Sequence, residues 1–127
     1  MIRNKTKNLT LITEIELADS MFLKARGLMF RKEMDSKKGM LFTFNKQERT
    51  GIWMLFMRFP IDLVYLDSQK RIINIYENIR PIGLNPGTWK VYYPETPAKY
   101  ILELSRGTVK QTGTELGDIL EFETKTA

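Results

Sequence analysis

Short apolar segments recur along this chain, and their alternation with polar residues limits its possible folds more than any other feature of the sequence. Residues 9–17 and 100–104 place apolar side chains mostly two positions apart, whereas residues 40–44 and 119–122 are short apolar runs. A period of two, over lengths this short, is typical of strands and does not suit amphipathic helices. The sequence therefore predicts a chain built mainly of β-strands.

The most apolar segment spans residues 52–57, where every position is hydrophobic. A strand tolerates this pattern only when both of its faces are covered, so we expect the segment, including Trp53, in the middle of the core. Leu63 and Leu102 are expected in the same core. Residues 61–66 and 71–77 flank a polar stretch, 67–70, and predict a hairpin, with Lys70 at its turn extending into water.

One short helix is expected at residues 20–26, because Asp19 or Ser20 offers an N-cap and Gly27 stands where such a helix would end. A helical turn also fits between Gly107 and Gly113. Many short strands with little helix indicate a mainly β sandwich or small barrel with one short helix. No linker or repeat divides the 127 residues, which predicts a single domain with flexible tails at residues 1–7 and 124–127.

The chain contains no cysteine and no histidine. Thiolate nucleophiles, disulfides, Cys/His zinc sites and any mechanism that uses imidazole as a base are therefore excluded. An enzyme of this composition would have to use carboxylates, lysine, tyrosine or hydroxyl groups. No phosphate-binding or calcium-binding motif is present, and the seven methionines are interpreted as core residues, so no cofactor or metal is predicted.

The formal net charge is +5, with the basic excess confined to the first three quarters of the chain. Because no run of five or more like charges occurs, a solvated basic surface is favoured over a nucleic-acid site. The charged N-terminal residues are not followed by a long apolar segment, so neither a signal peptide nor a membrane span is predicted. The default expectation is a cytoplasmic protein.

Several ordered motifs, which cover about residues 10–123, make the chain similar to the family called domain of unknown function 192. They are Ala-Arg-Gly-Leu-Met-Phe-Arg at 25–31, Gly-Met-Leu-Phe at 39–42, Trp-Met at 53–54, Pro-Ile-Asp at 60–62, Tyr-Ile-Leu-Glu-Leu at 100–104 and Gly-Asp at 117–118. The resemblance implies a jelly-roll-like β sandwich, found alone in archaea and often behind export signals in bacteria. It implies no established activity, cofactor or catalytic residue.

The chain departs from this family pattern at one place. Many bacterial members continue the Trp-Met pair with a polar Lys-Asn-Thr, whereas Leu55, Phe56 and Met57 stand here. A function carried by those polar residues is therefore not expected of this chain.

Three charged residues within apolar segments are candidate ligand-binding residues. Arg26 lies among apolar neighbours, where a guanidinium extends to water, pairs with a buried carboxylate or binds a ligand anion. Arg58 and Asp62 flank the apolar stretch 59–61. An ionised carboxylate on a core face needs a partner, so we expect Asp62 within reach of Arg26 or Arg58, at the edge of a concave surface. A purely structural ion pair is the alternative.

Residues 80–97 form a further candidate site, because this long segment holds four of the five prolines together with Trp89, Tyr92 and Tyr93. Aromatic faces on a loop suit stacking against sugar rings, bases or peptide side chains. The alternative is that residues 88–93 form an edge strand whose aromatic side chains cover the core.

These residues predict a domain that binds a small molecule, glycan or polypeptide in a cleft near Asp62, bordered by Arg26, Trp53, Arg58 and the segment 80–97. An alternative is a hydrolase or lyase that uses Asp62 or Glu103 as general acid or base. A second alternative is a structural subunit that uses residues 52–57 at an interface. The sequence leaves open whether the protein is an enzyme, which ligand it takes and its oligomeric state.

Overall fold

This computed structural model describes residues 1–18 and 27–123. These residues contain ten strands and one short α-helix. The strands are β1 (Ile2–Asn4), β2 (Leu9–Ile12), β3 (Glu14–Ala18), β4 (Lys38–Glu48), β5 (Ile52–Trp53), β6 (Ile61–Leu66), β7 (Ile72–Ile79), β8 (Val91–Tyr92), β9 (Ala98–Ser105) and β10 (Leu120–Glu121). The helix α1 spans Thr108–Thr112, and a 3-10 turn spans Pro86–Thr88. The prediction of a mainly β chain is confirmed, whereas the helix expected at residues 20–26 falls outside the described residues.

A five-stranded sheet forms the centre of the fold, with the strand order β3-β4-β9-β6-β7. Only β3 and β4 run parallel, and the other neighbours are antiparallel. The hairpin predicted around residues 67–70 is present as β6 and β7. Every residue of β6 is buried, because this sheet is covered on both faces.

The register of the central strands divides the core between those two faces. Leu102 pairs with Leu41 and Val64, and these side chains pack toward α1 and the three-stranded sheet β10-β1-β2. Their neighbours Ile101 and Leu63 point to the other face, where residues such as Met54 and Met57 cover them. The expected core positions of Leu63 and Leu102 are confirmed.

The expectation for residues 52–57 is confirmed for Met54 and Met57, which are buried in the core, and is wrong for Trp53 and Phe56. Only Ile52–Trp53 is a strand, and it pairs with β8 in a two-stranded sheet separate from the central one. Trp53 is 49% exposed and Phe56 is 54% exposed. The strand that is buried on both faces is β6, which carries the acidic residue Asp62.

Two smaller expectations also change. Residues 1–7 are not a tail throughout, because β1 is the middle strand of the three-stranded sheet and Ile2 is fully buried. Lys70, expected to extend into water from the hairpin turn, instead donates a hydrogen bond to the Phe122 carbonyl at 2.6 Å. The tail expected at 124–127 falls outside the described residues. Within residues 1–18 and 27–123, no helix is long and apolar enough to cross a lipid bilayer.

Candidate functional site

A cleft of about 690 Å³ lies on the face of the central sheet that points away from α1. Its walls come from β4, β5, β9 and the loops that follow residues 27 and 53. The apolar lining residues are Leu28, Met29, Phe42, Phe44, Ile52, Trp53 and Met57, and the polar ones are Asn45, Lys46, Glu48, Thr50 and Glu103. We call this cavity the Glu103 cleft.

Glu103 lies in the wall that the central sheet provides, because its position on β9 pairs with Met40 on one side and Leu63 on the other. Its side chain points to the same face as these two apolar residues. Glu103 is 5% exposed, and its Oε2 atom has no hydrogen-bond partner among the described residues. A buried polar atom without a partner is rare in folded proteins and requires an explanation.

Burial raises the pKa of the Glu103 carboxyl to about 8, because an apolar environment disfavours the charged form. The positive charge of Arg31 opposes this shift and lowers the same pKa. Arg31 itself is held by Glu16, whose two carboxylate oxygens accept hydrogen bonds of 2.5 Å from its guanidinium. Glu103 therefore carries a proton in a substantial fraction of molecules near neutral pH.

Two residues shape the cleft around this carboxyl. Gly27 has a φ of +52°, and a Cβ atom placed on it would lie 3.3 Å from the Phe42 ring and 3.9 Å from Glu103 Oε2. The absence of a side chain at this position keeps the space beside the carboxyl open. On the other side, the buried Tyr65 hydroxyl lies 3.0 Å from the Thr50 carbonyl and 2.7 Å from the Tyr92 carbonyl, which anchors the segment leading into β5.

Asp62 does not lie at the edge of a concave surface. It has no exposed surface, and its position on β6 turns the carboxylate toward the face opposite the Glu103 cleft. Oδ1 accepts a hydrogen bond from the Asn78 amide at 2.9 Å, and Oδ2 accepts one from the Val109 amide at 3.0 Å. Among the described residues, the partners that this buried carboxylate requires are thus backbone N–H groups and not Arg58.

These bonds explain what Asp62 does in the fold. Asn78 has a φ of +50° and lies at an irregularity in the pairing of β6 with β7. Val109 is in the first turn of α1, whose own N-cap residue, Gly107, provides no side-chain hydrogen bond. Asp62 therefore caps the helix from a neighbouring strand and fixes the irregular backbone of β7.

Comparison with known proteins places this architecture in a family. A family model described as "DUF192: Uncharacterized ACR, COG1430" matches residues 2–122. The chain belongs to the DUF192 family. A UPF0127 protein of Pyrococcus furiosus is 34% identical over 121 residues, which cover 94% of this chain and 95% of that protein.

Two crystal structures resemble this DUF192 chain. A Novosphingobium aromaticivorans protein of unknown function has a TM-score of 0.84 at 26% identity, with 95% of this chain and 82% of that one covered. A Sinorhizobium meliloti protein, provisionally described as a transcription regulator, has a TM-score of 0.77 at 34% identity, with coverage of 84% and 79%. The family membership and the mainly β fold implied by the sequence motifs are therefore confirmed, and no activity comes with them.

The other predicted site residues of this DUF192 chain are dispersed. Trp53 lines the Glu103 cleft. Arg58 is exposed, lines neither cavity, and forms no ion pair with Asp62 in the described part of the chain. Arg26 lies outside the described residues.

The segment 80–97 is not one continuous loop. It contains the 3-10 turn and the short strand β8, so the expected edge strand at residues 88–93 is present only at Val91–Tyr92. Trp89 is 61% exposed, and its indole N–H donates to the Gly83 carbonyl at 2.7 Å. Tyr93 is about half exposed, and neither residue lines a cavity described here.

Tyr92 lines the second cavity, which has a volume of about 350 Å³ and also includes Arg80 and Lys90. Its ring packs edge-on against Tyr76 at 5.1 Å, and the Lys90 ammonium lies 5.0 Å from the ring centre. This cavity is shallow and polar. In the part of the chain that the structure describes, no group of three or more carboxylates could hold a metal ion.

The aromatic pair Phe30 and Phe56 is a feature that the sequence pattern did not reveal. The rings stack at 5.0 Å with an interplanar angle of 19°, and both residues are more than half exposed. Both have positive φ, +68° and +61°, and the Phe30 amide donates to the Phe56 carbonyl at 2.9 Å. Bulky residues seldom adopt this backbone conformation, and a long-range hydrogen bond between two loops is not visible in local spacing.

Proposed function

We propose that this protein binds a small organic ligand in the Glu103 cleft. The volume of the cleft, about 690 Å³, lies within the range of roughly 300–1,000 Å³ that is usual for small-molecule sites. Its walls are largely apolar and include the exposed ring of Trp53, which suits a ligand with a flat apolar body. Because Asp62 points to the opposite face of the sheet, the proposed site is centred on Glu103 and not on Asp62.

The buried Oε2 atom of Glu103, which has no hydrogen-bond partner in the described part of the chain, is the observation that carries this proposal. Leaving a buried polar atom without a hydrogen bond costs roughly 1–3 kcal/mol, and more for a charged group. A polar group on a bound ligand would recover this energy. One deep polar group within apolar walls favours a small molecule, or a single side chain of a polypeptide, over a glycan with its many hydroxyl groups.

A fragment screen followed by amide chemical shifts in NMR spectra tests this function. The library contains molecules with one aromatic ring system and one polar side-chain group, including tryptophol. We expect shifts in β4, β5 and β9 around the cleft, and Trp53→Ala should weaken binding by about tenfold or more because it removes an apolar wall. Trp89→Ala is the matched control, since Trp89 is also exposed and is absent from the lining of both described cavities. A library that leaves the cleft amides unmoved would refute the proposal.

Acid–base catalysis is a second candidate, and the raised pKa of Glu103 favours it. A carboxylic acid with a pKa of about 8 holds a proton that it could donate to a leaving group at neutral pH. Glycosidase-type hydrolysis needs a second carboxylate across the cleft. Glu48 also lines the cleft, yet it is exposed, so the geometry supports binding better than hydrolysis. A fragment that is chemically converted by the wild type and not by Glu103→Gln would favour the enzyme.

If the protein is a structural subunit, Phe30 and Phe56 are better candidates for the interface than the whole of residues 52–57, because Met54 and Met57 are buried. Sedimentation of the wild type and of Phe30→Ser tests it. A monomer for both proteins would remove this alternative.

A further inference from the structure

We propose that the ligand of the Glu103 cleft carries a cationic amine, which forms an ion pair with the Glu103 carboxylate. This inference deepens the proposed function and rests on it. It specifies which polar group occupies the space beside Oε2, and therefore which class of molecule the cleft selects.

The charged groups around the carboxyl leave room for a cation. Arg31, which acts on Glu103 at a distance, already forms a two-point ion pair with Glu16. Lys46 lines the cleft but is exposed, and Glu48 adds a second negative charge to the lining. None of the described cations forms an ion pair with Glu103. The most buried polar group in the cleft lining is thus an acid that has no counter-ion within residues 1–18 and 27–123.

The walls are also suited to an ammonium group. Phe42 and Trp53 line the cleft with aromatic rings, and Met57 adds a polarizable thioether. Aromatic faces attract cations, more strongly where water is excluded. Gly27 leaves the space beside Oε2 unfilled, since a Cβ atom there would lie 3.9 Å from that oxygen.

The other titratable groups near the site are Tyr65 on β6 and Asp62 on the same strand. Burial raises the pKa of the Tyr65 phenol above its usual value, so this group stays neutral throughout the useful pH range. Asp62 points to the other face of the sheet. The pKa of the Glu103 carboxyl, about 8, places the change of its charge between about pH 6 and pH 9.

Paired fragments test the inference. Tryptamine and tryptophol have the same indole ring and chain, and differ in an ammonium against a hydroxyl group. Because the free Glu103 carboxyl ionises near pH 8, tryptamine should bind about tenfold more tightly per pH unit between pH 6 and pH 8, and then level off. The affinity of the protein for tryptophol should not rise with pH in this way. The measurement is an NMR or calorimetric titration at each pH.

Two variants complete the experiment. Glu103→Gln keeps the shape of the side chain and should abolish both the pH dependence and the preference for tryptamine. Glu121→Gln, at an exposed position on β10 outside the cleft, should retain them. Calorimetry at pH 7 in buffers of different ionisation enthalpy should show release of nearly one proton per tryptamine bound to the wild type.

Four results would overturn the inference. The first is a titration of the Glu103 carboxyl below about pH 5 in the free protein, because the carboxylate would then already be stabilised by water or by a cationic partner. The second is equal pH dependence for the two fragments. Tryptophol binding in the cleft without any preference for tryptamine would reject the amine but keep the proposed function, whereas no binding of either fragment would reject both.

Discussion

Asp62 and Glu103 lie on adjacent antiparallel strands, one register position apart, and their carboxyl groups therefore point to opposite faces of the central sheet. Asp62 pairs with Leu104, and Glu103 pairs with Leu63. On one face, two backbone amides satisfy Asp62. On the other face, Glu103 lines a cleft with one oxygen unpartnered among the described residues. The first acid is therefore assigned to the fold, and the second to the candidate site.

Replacing Asp62 by asparagine should destabilise the protein by roughly 1–3 kcal/mol. The amide oxygen can accept one of the two backbone bonds, but the NH₂ group would face the other N–H donor. Urea unfolding measures the loss, and hydrogen exchange should accelerate at the amides of Asn78 and Val109. Fragment binding in the Glu103 cleft should persist. Normal stability together with lost binding would contradict the structural role of Asp62.

The ionisation of Glu103 should make the free energy of unfolding fall as the pH rises. Its folded-state pKa of about 8 exceeds the ordinary value of 4.5, so the folded protein holds an extra proton between these pH values. Stability from this group is therefore lost as the pH rises through that window. Glu103→Gln cannot ionise, and its stability relative to the wild type should increase by up to about 4 kcal/mol between pH 5 and pH 8.5.

Urea unfolding at several pH values measures this difference. Glu121→Gln, which removes an exposed acid, should follow the wild-type curve within about 0.5 kcal/mol. Parallel curves for Glu103→Gln and the wild type would show that Glu103 has an ordinary pKa in the folded protein.

Gly27→Ala should both destabilise the fold and weaken fragment binding. The left-handed backbone at φ +52° costs an alanine about 1–2 kcal/mol, and its Cβ would press against the Phe42 ring. Gly113→Ala separates these effects, because Gly113 has a φ of +65° and open space around it. Both variants should lose similar stability in thermal unfolding, but only Gly27→Ala should reduce tryptophol affinity, by several-fold. Equal affinities would show that the cleft does not extend to this position.

Leu102→Ala should lower the free energy of unfolding by roughly 2–5 kcal/mol, since it leaves a cavity between the five-stranded and the three-stranded sheets. Gln69→Ala is the appropriate comparison, because Gln69 is exposed at the hairpin turn, whereas Lys70 contacts Phe122. In denaturant titrations, Gln69→Ala should lower the free energy of unfolding by less than about 0.5 kcal/mol. Similar losses at both positions would contradict the assignment of the core.

The sequence by itself determined the class of the fold. Alternation at residues 9–17 and 100–104 indicates strands because side chains in a strand point to opposite faces in turn, and this rule is local. The same holds for the hairpin around residues 67–70 and the helical turn at Thr108–Thr112. The ordered motifs also identified the family, and the lack of cysteine and histidine excluded whole classes of chemistry.

Only the tertiary structure decided which acid is available to a ligand. Asp62 and Glu103 both stand among apolar residues in strands, so their local patterns are alike. Their difference comes from strand order and register, which bring α1 over one face of the sheet and leave a cleft on the other. The same applies to Trp53, whose apolar surroundings predicted burial. Burial depends on which distant segments cover a strand, and neither composition nor spacing encodes that covering directly.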